Sequence, residues 1–78
     1  DQLDRAGRVV AVNRAWGQSF GLGVGDELVA RFPSAGDAVG AVLRGETPSS
    51  EVELPSGSGW DRVRVTAIAG GGALFCVE

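Results

Sequence analysis

Few residues in this chain are equipped for chemistry. Glu51 and Glu53 stand two apart in an alternating segment, so they share one face of a strand. Paired carboxylates can do acid–base work, but on the wet side of such a strand they read first as a solvated face. Arg62 and Arg64 repeat the spacing on the next alternating segment. Cross-strand Glu–Arg pairs would stabilise the resulting hairpin by roughly 0.2–1 kcal/mol each. The Gly-rich stretches Gly21–Gly25 and Gly70–Gly72 lack the partners of a phosphate loop: the first has neither the GxGxxG spacing nor a preceding strand, and the second has no following helix and no Lys-Ser/Thr pair. They read as a connector and a hairpin turn. There is no His, which removes the usual general base, the usual metal ligand and the usual axial haem ligand. No nucleophile–base pair and no metal cluster can be assembled from these residues, so the chain is not expected to be an enzyme or to hold a metal.

The remaining composition narrows the class. Seventy-eight residues allow one domain, 1–78, with a modest core. Hydrophobic content of 44% and charged content of 22% are globular values, despite 13 glycines that gather at segment ends. The net charge is −3 and the basic residues are scattered arginines, which disfavours nucleic acid as a partner. No apolar run is long enough to span a membrane. A single cysteine, Cys76, excludes an internal disulfide and fits a reducing compartment, so a cytoplasmic location is expected; on its apolar strand Cys76 reads as a small buried hydrophobe. The chain reads as a piece of a longer polypeptide.

The elements that position these residues follow from period and punctuation. Residues 1–3 close a first strand, Asp4–Gly7 has turn chemistry, and Val9–Val12 is a second strand pairing with the first. Asn13 suits a helix N-cap, Trp16 and Phe20 share a helical face, and Gly21 and Gly23 end that helix. A second short helix is predicted over Asp26–Arg31, with both acids in its first turn, Leu28 and Phe32 on its apolar face and Pro33 as its stop. Ser34 with Asp37 resembles a capping box for a third helix whose stripe is Ala38, Val39, Val42 and Leu43, with Gly45 as the C′ residue. From Glu51 the period becomes two: Glu51–Leu54, a turn at Pro55–Gly59, then Asp61–Ala67 with Val63, Val65 and Ala67 on one face. A turn at Gly70–Gly72 leads to a last strand, Ala73–Val77. A strand pair, a helical crossover and a three-stranded meander read as α+β: one antiparallel sheet with helices on one face.

These motifs, in this order, resemble a PAS domain, a sensor module common in bacterial signalling proteins. The resemblance rests on the Asp4-x-x-Gly7 turn, the strand after it, and Asn13 opening the first helix with Trp16 three residues on. It also rests on the pair Phe20-Gly21, the segment Ala41–Pro48, Trp60 opening the fourth strand, and the apolar strand Ala73–Val77 before Glu78. It covers nearly the whole chain. It implies a five-stranded antiparallel sheet of order 2-1-5-4-3, with helices over one face enclosing an apolar pocket. About thirty residues separate Asn13 from Gly45, fewer than the family usually spends on its helices, so the helical side is abbreviated.

Two candidate sites follow. Trp16, Phe20, Leu28, Phe32, Val39, Leu43, Val65 and Phe75 are where a pocket for a small apolar ligand would find its lining, and equally where a plain core would find its residues. Trp60, Ile68 and Leu74 lie on or near the outer sheet face, which in the family docks a flanking helix or a second copy. A flavin–cysteine adduct, the chemistry of light-sensing PAS relatives, is not expected: their cysteine lies on a helix in an Asn-Cys-Arg motif, and Cys76 lies on the last strand. The expected function is that of a regulatory sensor domain relaying a signal to an attached output domain. The alternative is a ligand-free interaction module that forms a homodimer or docks a partner through the sheet.

Overall fold

The computed structural model of the chain describes residues 1–57 and 59–78. Its framework is a five-stranded antiparallel sheet of order β2-β1-β5-β4-β3, formed by β1 (Gln2–Leu3), β2 (Val9–Ala11), β3 (Ser49–Ser56), β4 (Gly59–Ala67) and β5 (Ala73–Val77). The α+β class and the strand order are those expected. The N-terminal strand lies beside the C-terminal one, with Gln2 opposite Leu74 and Leu3 opposite Ala73.

The first turn forms as its residues dictate. The Asp4 carboxylate Oδ1 accepts from the backbone N–H of Ala6 (2.9 Å) and of Arg8 (3.0 Å), and the Gly7 N–H closes onto the Asp4 carbonyl (3.0 Å). Asn13 then caps α1 (Arg14–Phe20) by accepting from the Trp16 N–H at 3.1 Å, and Gly21 ends that helix with its N–H on the Gly17 carbonyl. β2 stops at Ala11, one residue short of the predicted end.

The next segment departs from expectation. α2 spans only Leu28–Arg31, so Asp26 and Glu27 lie before the helix. The backbone there is held by β2 and the turn before it instead: Val9 N–H donates to the Asp26 carbonyl (2.8 Å), Gly25 N–H to the Val9 carbonyl (2.7 Å) and Leu28 N–H to the Gly7 carbonyl (3.1 Å). The Asp26 carboxylate accepts from the Gly23 N–H at 2.8 Å. Tertiary hydrogen bonds thus claim the residues that local propensity would put into a helix.

The predicted Ser34–Asp37 capping box is also absent. Pro33–Ala35 forms a single 3₁₀ turn that runs straight into α3 (Gly36–Leu43), so Ala35 occupies the N-cap position and no side chain caps the helix. The chain is already winding at Ser34, whereas a capping Ser needs extended backbone. Asp37 does sit in the first turn of α3, where the dipole favours it. The helix ends as predicted: Gly45, at φ 78°, donates to the Val42 carbonyl (3.1 Å) and Glu46 to the Ala41 carbonyl (2.9 Å), the paired bonds of a Schellman motif.

The predicted turn Pro55–Gly59 is shorter than expected, because Pro55 and Ser56 belong to β3 and Gly59 to β4; Ser58 lies outside the described residues. Ala67 N–H donates to the Pro48 carbonyl and Ser49 lies opposite Thr66. Hydrogen-bonded pairs therefore alternate with non-bonded ones, and Pro55 opposite Trp60 falls in the non-bonded set. Its nitrogen faces the open edge of the sheet, so the missing N–H costs no ladder bond.

The inner sheet face supplies Leu3, Val9, Leu54, Val63, Val65, Ala73 and Phe75, each at most 1% exposed, and the helices and their connections supply Phe20, Leu22, Leu28, Ala35, Val39 and Val42. Val63 and Val65 point inward as predicted, but Ala67, at the strand's end, is exposed. Cys76 is exposed as well, contrary to the buried reading: it follows inward-facing Phe75 and lies opposite exposed Arg64. No helix among the described residues is long and apolar enough to cross a membrane.

Candidate functional site

Asn13 sets where α1 begins, and so where Trp16 and Phe20 point. Its own N–H donates to the Asp1 carboxylate at 2.6 Å, which ties the cap to the residue just before β1. Trp16 packs with tilted rings at 4.3 Å between centroids on Phe20 and at 4.7 Å on Phe75 of β5, and Phe20 meets Phe32 edge-on at 6.1 Å. The Trp16 indole N–H is buried and has no hydrogen-bond partner among the described residues.

Beside this aromatic cluster lies a solvent-open groove of about 520 Å³ between α1 and the ends of β4 and β5. Its α1 wall is Ala15, Trp16, Ser19 and Phe20, and Asp1, Asn13, Asp61, Cys76 and Val77 complete the lining. Of the eight residues proposed as pocket lining, only Trp16 and Phe20 border this groove. Leu28, Val39, Val65 and Phe75 are buried in the core, and Phe32 and Leu43 pack half-buried against it. The helices therefore close on the sheet over most of its inner face and leave the opening at one end. Asp1, Asn13, Ser19 and Asp61 were not among the sequence candidates for this site. Only the alternation of β4, which places Asp61 on the inward face with Val63 and Val65, carries a sequence signal for it.

The outer sheet face holds Trp60, 66% exposed, and Leu74, 45% exposed. They are not neighbours. Leu74 lies opposite Thr66, six positions along β4 from Trp60, a span of about 20 Å at ~3.4 Å per residue. Between them runs a charged band: Arg62–Glu53 (4.0 Å), Arg64–Glu51 (3.6 Å) and Arg64–Glu78 (2.9 Å). The two cross-strand pairs are those the sequence spacing predicts. Ile68 lies beyond the end of β4, half-buried in the turn, with its N–H on the Gly72 carbonyl.

Among the described residues, no group of three or more Cys, Asp and Glu side chains is placed to hold a metal ion. Comparison of the chain with protein-family models, with curated proteins and with solved structures finds no match.

Proposed function

We propose that the chain is a PAS-type regulatory sensor domain of a larger signalling protein, with the α1 groove as its input site. The observation that carries this reading is the contact of α1 with β5 through Trp16 and Phe75, in a sheet whose two terminal strands are adjacent. Phe75 N–H donates to the Asp1 carbonyl at 2.9 Å, so the strand that receives the helix contact is bonded to the start of the chain. A ligand that repositions Trp16 acts on β5 and β1 together, and through them on an attached output domain. The relay is a population shift, which requires the ligand to bind the two packings with different affinity. No catalytic step belongs to this reading.

The rival reading, a ligand-free dimerisation or docking module, draws support from Trp60 and Leu74 on the outer face. The charged band between them weighs against it, because covering that face desolvates three ion pairs. Native mass spectrometry, repeated after denaturation, separates the two. A non-covalent adduct lost on denaturation supports the sensor reading, and slowed hydrogen exchange in β1 and β5 of the adduct supports the relay. A bare dimer, split by Trp60→Glu or Leu74→Glu, overturns it in favour of the interaction module.

A further inference from the structure

One edge of the sheet is closed and the other is open. At the β2 edge, both backbone groups of Val9 are bonded to the Gly25–Asp26 segment. The opposite edge is β3, eight residues long and paired on one side only. Natural sheets tend to keep an uncovered edge strand short, because its free N–H and C=O groups template another strand. The register with β4 decides which groups are free. Glu51 and Glu53 belong to the non-bonded set, so their N–H and C=O groups point away from β4. No turn, loop or helix backbone among the described residues bonds to them. The open window has ends: the Thr47 hydroxyl donates to the Ser49 carbonyl at 2.9 Å, and Pro55 has no N–H to give.

Charge on this edge selects the occupant. On the outer face two guanidinium groups, of Arg62 and Arg64, serve three carboxylates, those of Glu51, Glu53 and Glu78. A second copy fits poorly. Every antiparallel register that pairs the window with itself sets Glu opposite Glu, and like charges directly opposite destabilise a strand pair. A strand with basic residues at the same spacing meets the excess carboxylate instead, so the charges that repel a second copy favour such a partner. Its intervening residue falls on the inner face beside Val52, which packs half-buried against the core, and an apolar side chain suits that place.

We infer that the β3 edge takes an extended segment of another polypeptide with the pattern basic–apolar–basic. The segment adds to the sheet as a further strand, its basic residues opposite Glu51 and Glu53 and its apolar residue opposite Val52. No residue of β3 borders the α1 groove, so this holds whether or not the groove is the input site.

The test titrates the protein, at low salt, into a capped, dye-labelled peptide Thr-Lys-Val-Lys-Thr and reads fluorescence anisotropy. Two control peptides carry glutamates for lysines, or the lysines N-methylated on the backbone, which keeps the charge and removes the strand's donors. Amide exchange by NMR locates the complex. The expected result is saturable binding of the lysine peptide, weakened by added salt, with slowed exchange at the Glu51 and Glu53 amides. Neither control peptide should saturate. Joint replacement Glu51→Thr and Glu53→Thr keeps the backbone donors and suits a strand, and should weaken the lysine peptide about tenfold with thermal unfolding little changed. Absence of saturation, equal binding of either control, unchanged exchange at the two amides, or full affinity in the double variant overturns the inference. A dimer in sedimentation, with both amides protected before peptide is added, gives the edge to a second copy and overturns it too.

Discussion

Trp16 of α1 and Phe75 of β5 meet with ring centroids 4.7 Å apart and planes tilted by 59°. This contact joins the first helix to a central strand, and Phe75 is wholly buried beneath it. Phe75→Ala is expected to cost about 3–5 kcal/mol, a large share of the roughly 5–15 kcal/mol that holds a small domain folded. Urea unfolding should show most of the variant unfolded or its midpoint far lower. Trp16→Phe keeps a ring in place and removes the unpartnered indole N–H, so its cost should stay within about 1 kcal/mol. A loss well above that would mean the N–H has an acceptor.

Gly72 follows the β4–β5 turn with φ 82°, and a Cβ there would lie 2.3 Å from the Leu3 carbonyl oxygen. Gly72→Ala therefore combines the left-handed backbone penalty, about 1–2 kcal/mol, with a backbone clash against β1. A loss above about 2 kcal/mol is expected from denaturant melts. Gly70→Ala is the control: φ is 88° but the space is open, so only the backbone penalty should appear.

Arg64 sits between Glu51 and Glu78 on the outer face. All three side chains are substantially exposed, so Arg64→Ala should cost less than about 1 kcal/mol. The difference from the unsubstituted protein should shrink further in molar salt. A loss that salt does not reduce would assign the effect to packing of the arginine stem.

The Arg44 guanidinium hydrogen-bonds the Glu46 carboxylate at 2.5 Å and holds its carboxyl below the usual range. A carboxyl depressed in the folded state contributes stability above its unfolded pKa, and that contribution is lost as pH falls through the folded value. Glu46→Gln should lower stability slightly at neutral pH, with the difference vanishing at acid pH. Both groups are exposed, so the effect is small, and chemical denaturation across the acid range would read it.

Sequence alone determined much of this protein, because local rules act where neighbours in the chain are the partners. The Asp4–Gly7 turn, the Asn13 cap and the Gly45 helix end are each decided within a few residues, and the Glu–Arg register follows from a period of two across one hairpin. Tertiary structure decided the rest. Asp26 left its helix because β2 offered its backbone better partners, and Ser34 lost its cap because the 3₁₀ turn had already wound the chain. Pro55 entered a strand because that strand is an edge. Alternation assigns a residue to a face without saying whether that face is covered, so the exposure of Cys76 emerges only once the sheet is assembled. The groove joins Asp1, Asn13, four residues of α1, Asp61, Cys76 and Val77, brought together by the β1–β5 pairing and the packing of α1 on Phe75. No local pattern could bring Asp61 and Trp16 to one groove; the closing of the sheet does.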